Sequence, residues 1–238
     1  MIDIAEICWL IDSHEGAPCG SYSVLDELCR RITVEDLPSL VIEEASNHPH
    51  EVSECARRSY RHALGFDKVM LMVGPGKSTL RVHVWRDTDA RAHASEHIHN
   101  HRFEFASVVL RGDVVMEIFE PHSEGVLMAA YEESIGAGDS GWMMRCRGTE
   151  RLRKTMDLRL APGTMYRMHA ESLHRVVRSA SSYTVTLFLE AVSRRVRTST
   201  DVYTDLHAAV PSEFARVPMR PQEYLSALVE IRSLIASN

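Results

Sequence analysis

Three histidines, His97, His99 and His101, stand at alternate positions in the stretch EHIHNHRFEF, immediately ahead of the apolar run ASVVLRG. In a β-strand, residues two apart project to one face, so this spacing predicts imidazoles gathered on one side of a sheet. Two neutral imidazoles at i and i+2 can hold one metal ion. A third from an opposite strand completes a facial set that leaves coordination positions open, and His174 in ESLHRVV is the obvious donor. A lone strand histidine is ordinarily a hydrogen-bonded core residue or a solvated one. Three within five residues, leading into an apolar strand, point instead to metal.

Other residues carry weaker chemical readings. Tyr166 lies on an expected strand eight residues before His174. Its phenol is either a general acid or orienting donor for a metal-bound substrate, or an amphipathic wall residue. His83 in RVHVW is either a hydrogen-bonding neighbour of the metal set or a satisfied core histidine, and His169 belongs to a loop. Arg102 and the cluster Arg57, Arg58 and Arg61 offer planar forks for a carboxylate, although most such arginines coat solvated faces. GPGK and RGD read as hairpin or barrel turns rather than as a phosphate loop or an adhesion signal. No G-x-S-x-G, H-E-x-x-H or C-x-x-C element occurs, which leaves serine hydrolase, zincin and dithiol chemistry without support.

The elements that must position these groups change character along the chain. SYSVLDELCRRI, VEDLPSLVIEEAS and PHEVSECARRSYRHALG space apolar residues three and four apart, with Pro49 in a helix first turn and Gly65 as a C-cap. From Phe66 the period is two. Short strands alternate with turns such as GPGK, RGD, PHSEG, IGAGDSG and APG, which predicts a mainly β fold, a closed antiparallel barrel or sandwich. After Pro221 an amphipathic helix returns. The expected organisation is a helical segment over 1–65, a β-barrel over 66–192, and a C-terminal tail and helix over 193–238.

Composition narrows the partners. The 238 residues carry a formal charge of −6 and are 45% hydrophobic, enough for a core and without a basic field for nucleic acid or an anionic membrane. A small molecule is the expected partner. Five scattered cysteines without C-x-x-C spacing suggest reduced thiols. Acids interrupt the apolar N-terminus and no apolar run is long enough to span a bilayer, so a cytoplasmic protein is expected, as monomer or homodimer.

IHNH (98–101) followed by VLRG, and APGTMYRMHAESLHRV further on, resemble the two motifs of the cupin superfamily of small β-barrels. The order of SYRHALGF, VHVW, IHNH and LHRV resembles the cysteine dioxygenase (thiol dioxygenase) branch over roughly residues 55 to 192. The resemblance implies a cupin-type double-stranded β-helix, or jelly roll, preceded by helices and holding one non-haem iron. Two H-x-H registers are open. His101 with Phe105 leaves three residues between them and six before Gly112, whereas His99 with Glu104 leaves four and seven. The first frame matches cupin spacing, so His99, His101 and His174 are the expected ligands, with His97 as an alternative or neighbour. Glu104 is then ligand, base or outward-facing charge. The family's crosslinking cysteine falls on Phe105, its late-strand serine, histidine and tyrosine on Thr186, Phe188 and Glu190, and its carboxylate-gripping arginine near His62. These departures argue against free cysteine as substrate. The implied activity is a mononuclear Fe(II) dioxygenase or oxygenase acting with O2 on a small molecule. The alternatives are a Zn, Ni or Mn cupin with isomerase, lyase or hydrolase chemistry, or a metabolite-binding cupin without catalysis.

Overall fold

The computed structural model describes residues 4–13, 20–31, 36–62, 65–74, 78–86, 97–136, 141–178, 183–195 and 197–236. Four helices come first: α1 (Ile4–Ser13), α2 (Gly20–Arg31), α3 (Leu37–Asn47) and α4 (Pro49–Arg58). Strands follow as β1 (Tyr60–Arg61), β2 (Asp67–Val73), β3 (Thr79–Arg86), β4 (Ile98–His99), β5 (Phe103–Arg111) and β6 (Val114–Ile135). They continue as β7 (Gly141–Leu160), β8 (Met165–Met168), β9 (Leu173–Arg178), β10 (Tyr183–Arg195), β11 (Thr200–Thr204) and β12 (Glu213–Ala215). Helix α5 (Pro221–Ala236) closes the chain. Every strand pairing is antiparallel, in one sheet ordered β1-β2-β3-β10-β5-β8 and a second ordered β11-β4-β9-β6-β7-β12. Phe105 of the first sheet meets His174 of the second at 6.2 Å between rings, so the sheets face each other across a shared interior. This is the mainly β, cupin-type double-stranded β-helix with helices at both ends.

Alternation explains why the first sheet is buried on both sides. In β3, every side chain from Thr79 to Trp85 is buried. Leu80, Val82 and Val84 join Ala106, Val108, Leu187 and Leu189 in a core that includes Ile7 and Leu25 of the helical layer and Leu228 and Ile231 of α5. The intervening residues Thr79, Arg81 and His83 face the interior beside Glu190, Phe188 and Thr186 of β10. Helices thus cover the apolar outer face, and the inner face carries polar groups together with aromatic rings such as Phe105 and Phe188. Tyr224 anchors α5 by donating its hydroxyl to the Met70 carbonyl at 2.7 Å. Tyr224→Phe should cost about 1 kcal/mol, read as a lower urea midpoint at unchanged slope.

Two local expectations fail for identifiable reasons. The helix expected to run to Gly65 ends at Arg58, because Ser59 is extended and its hydroxyl donates to the Cys55 carbonyl while accepting from the Met70 amide. Tyr60–Arg61 then pairs with β2, and Gly65, at φ 88°, serves the turn between those strands. PHSEG is not a hairpin turn. It forms an irregularity within β6, where Pro121 and Val126 both oppose Leu152. Proline has no amide to give a ladder, which suits it to such a bulge. A further shift at Ala130/Tyr131 is accommodated by Gly148 at φ 104° on β7. The segments read as separate short strands are therefore one long β6–β7 hairpin. Among the described residues no helix is long and apolar enough to cross a membrane.

Candidate metal centre

The histidines do not share one continuous strand. The ladder breaks after His99: β4 belongs to the second sheet, whereas β5 belongs to the first. Between them the chain turns a corner held by Asn100, which is 2% exposed. Its side-chain amide donates to the Asp201 carboxylate at 3.0 Å, and its carbonyl accepts from the Asp201 amide at 2.7 Å. His101 is secured by its own amide, which donates to the Ala170 carbonyl at 2.9 Å. Asn100→Ala removes the acceptor of the Asp201 amide and one of two donors to its carboxylate, which keeps Arg197 at 2.6 Å. It should cost about 1–3 kcal/mol in urea unfolding.

This corner brings His99, His101 and His174 together. His99 stands directly across the β4–β9 ladder from His174. One ligand nitrogen from each of the three lies within 4.8 Å of the others. His101 Nε2 and His174 Nε2 are 3.4 Å apart. Two nitrogens on one ion at tetrahedral angles, with bonds of about 2.0–2.1 Å, would be about 3.4 Å apart. His99 Nδ1 lies 2.9 Å from the His97 carbonyl and His174 Nδ1 3.2 Å from the Ser172 carbonyl. A carbonyl can only accept, so each Nδ1 carries the proton and each Nε2 keeps its lone pair for the common point. The donor set and its backing therefore fit a divalent ion.

Burial keeps the donors in the right protonation state. It lowers His99 from the ordinary histidine value and pushes His101 well below it, with His174, His99 and Arg81 adding repulsion. Burial and then His99 take His174 down to about 3, against the opposing effect of its bond to the Ser172 carbonyl. At neutral pH all three are uncharged ligands.

His99 and His101, with His97 beside them, line a cavity of about 160 Å³. The first sheet contributes Lys68, Arg81, His83 and Glu190 to its wall, and the second contributes Thr200 and Val202. Trp142 of β7 and Phe214 of β12 line it as well. Arg81 forms an ion pair with Glu190, and also donates to His83 Nε2 at 3.0 Å and to Thr79 Oγ1 at 3.2 Å. His62 stacks on Phe66, with centroids 4.5 Å apart and planes within 5°.

The other sequence candidates lie elsewhere. Glu104 is on the outward side of β5 by alternation with buried Phe105, paired with Arg167 and with His169 Nδ1 at 3.1 Å. Those partners, with burial opposing them, hold its carboxyl below the usual range. It is not brought to the histidines. Phe105 takes the inward position instead, 4.6 Å from the His101 ring. Tyr166 packs with the apolar cluster around Phe105, 6.2 Å from that ring, and does not line the cavity. Arg102 does line it, with its guanidinium 5.0 Å from the Trp142 ring centroid. Lys68, Arg81 and Trp142 were not among the sequence candidates. The legible signal was charge at inward positions of β2 and β3, strands otherwise apolar.

Fold and site together give a two-sheet antiparallel barrel in which three histidines, one buried and two half-buried, converge beside a cavity. No family model and no curated protein sequence matches the chain. Among solved structures it is similar to hydroquinone 1,2-dioxygenase from Sphingomonas sp. TTNP3 with 4-hydroxybenzoate bound, at 10% identity and a TM-score of 0.33. That match covers 52% of this chain and 64% of the dioxygenase chain, less than two thirds of it. A double-stranded β-helix protein from Klebsiella pneumoniae matches at 12% identity and 0.32, over 63% of this chain and 92% of that one. Drosophila melanogaster CENP-C bound to CAL1 matches at 9% identity and 0.32, over 62% and 98%. At these scores the likeness carries no weight for chemistry, which this chain's own residues must supply.

Proposed function

We propose that the chain is a metal-dependent enzyme in which His99, His101 and His174 hold one ion, Fe(II), for oxygenase chemistry on a small molecule. The convergence of three neutral imidazoles, two of them oriented by backbone carbonyls, carries this reading. Three neutral ligands leave an ion its positive charge and leave positions open for exogenous groups. An Fe(II) ion held there would supply dioxygen activation. His99 and His101 face the cavity, so a molecule entering it meets the ligand set from that side. Phe105 and Phe188, stacked with centroids 4.3 Å apart, wall the interior beside His101 and exclude water there. The departures at Phe105, Thr186, Phe188 and Glu190 favour a substrate other than free cysteine.

A second reading rests on the cavity carboxylates. Burial raises the Glu133 carboxyl, an environment suited to holding a transferable proton. With Zn, Ni or Mn as Lewis acid, that group would serve isomerase, lyase or hydrolase chemistry. Metal analysis of protein purified without added metal, paired with oxygen-electrode assays of the iron-loaded chain on small thiols and phenols, separates the two. Oxygen uptake with a substrate and iron is the expected result. Tight binding of zinc, nickel or manganese with no oxygen uptake would move the Lewis-acid reading ahead, and absence of any bound metal would sink both.

A further inference from the structure

We propose that Lys68 anchors a small, planar organic carboxylate in the cavity beside the histidines. That the ligand's far end meets the histidine centre rests on the metal reading above; the anchor itself does not.

The first ground is position. Lys68 projects inward from β2, opposite His83 on one side and Tyr60 on the other, and lines the cavity wall. Its ammonium lies 5.3 Å from the Tyr60 ring centroid. Among the described residues it has no hydrogen bond and no ion pair. An ammonium withdrawn from water with Glu190 near it but no carboxylate in direct contact is incompletely compensated, and the neighbouring cavity is where a paired anion could sit.

The second ground is charge. Lys68, Arg81 and Arg102 line the same cavity, against the carboxylates Glu190 and Glu133. Glu190 is ion-paired with Arg81, and burial raises the Glu133 carboxyl against the opposing charge of Arg102, so three cations face two carboxylates. A surplus of positive charge is left on the wall. Arg81 also donates to His83 and Thr79, so its fork is largely occupied, whereas the Lys68 ammonium makes no such bond and is open to a ligand. Burial, then Arg81 beside it, pulls the lysine down to about 7, and an anion at its side would restore the full charge.

The third ground is shape. His62 and Phe66 lie parallel, Phe66 continues to His83 at 4.6 Å and to Trp85 at 5.1 Å, and Trp142 and Phe214 face the same space. Flat walls favour a flat body. A single open ammonium, with no glycine cradle or helix N-terminus lining the cavity among the described residues, suits a carboxylate better than a phosphate dianion.

Isothermal titration calorimetry with benzoate, benzamide and cyclohexanecarboxylate tests this on the full chain, as purified and after chelation. Benzoate should bind saturably in both states, benzamide at least ~10-fold more weakly, and cyclohexanecarboxylate a few-fold more weakly. Lys68→Met should weaken benzoate at least ~10-fold and Lys68→Arg only a few-fold, with melting curves showing both folded. Should Lys68→Met fail to fold, the benzoate–benzamide ratio and Lys68→Arg decide. No benzoate binding, equal affinity for benzamide, or unchanged affinity in folded Lys68→Met overturns the anchor. Binding lost on chelation yet indifferent to Lys68→Met places the carboxylate on the metal, overturning the anchor and sparing the metal reading. Benzoate binding to Lys68 in protein that takes up no metal spares the anchor and refutes the metal reading alone.

Discussion

His174→Ala is expected to lose its metal. Elemental analysis should fall from about one ion per chain to under about a tenth, since two imidazoles seldom retain an ion that three hold. The substitution removes the member of the set that is 3% exposed and sits directly across the ladder from His99. Its neutrality at working pH means that no proton competes for Nε2 in the intact site. Because deletion of a buried ring also leaves a void, the control is Phe105→Leu, which disturbs packing beside His101 but removes no ligand. Phe105→Leu should keep its metal. Full occupancy in folded His174→Ala would show that the ligand set is wrong. Glu104→Gln should leave the metal content unchanged, because that carboxylate is held by Arg167 and His169 on the outer side of β5.

The second large effect concerns the ion pair beneath the cavity. Arg81→Met strands Glu190 in the interior, and removing one member of a buried pair costs about 3–5 kcal/mol. Lys68, itself held near neutrality, compensates only in part. In the wild type, burial raises the Glu190 carboxyl, but Arg81 and Lys68 outweigh it and hold the group below its ordinary value. A lowered folded value contributes stability above the unfolded carboxyl range, and that stability is lost as pH falls through the folded value. In Arg81→Met the sign reverses. The folded carboxyl rises, so its stability is present below the unfolded value and is lost as pH climbs toward neutrality. The gap between the variant and the wild type in urea unfolding should therefore be wider at pH 7.5 than at pH 5. A gap that is equal at both, or wider in acid, would refute the assignment. The double substitution Arg81→Met with Glu190→Gln should recover much of the loss, since no carboxylate is then stranded without its guanidinium.

Local spacing made several features legible. Apolar residues three and four apart marked α2, α3 and α5, and Pro49 sits in the first turn of α4 as expected. Alternation marks the strands of the barrel, and the spacing of IHNH and LHRV, through its resemblance to cupin motifs, marks His99, His101 and His174. A continuous strand would put His97, His99 and His101 on one face, but the chain changes sheets at Asn100, and the corner rather than the pleat aims His101 at its partners. His97 serves through its backbone carbonyl, a role its side chain could not announce. PHSEG reads locally as a turn, and only the partner strand decides that it is a bulge.

By itself the amino-acid sequence determined the mainly β fold and its helical flanks, because each depends on periodicities of two to four residues; the choice of His99, His101 and His174 rested as well on the resemblance to cupin motif spacing. The tertiary structure alone decided which charges share the interior. Lys68, Arg81 and Glu190 come from β2, β3 and β10, neighbours in the sheet although 109 residues separate Arg81 from Glu190 in the chain. Phe105 faces inward and Glu104 outward because the first sheet needs its other side for the helices. The Glu133, Trp142 and Phe214 side of the cavity depends on a long hairpin and a C-terminal strand returning to the barrel. Such contacts join residues far apart in sequence, and no local pattern encodes which distant side chain will face a given imidazole.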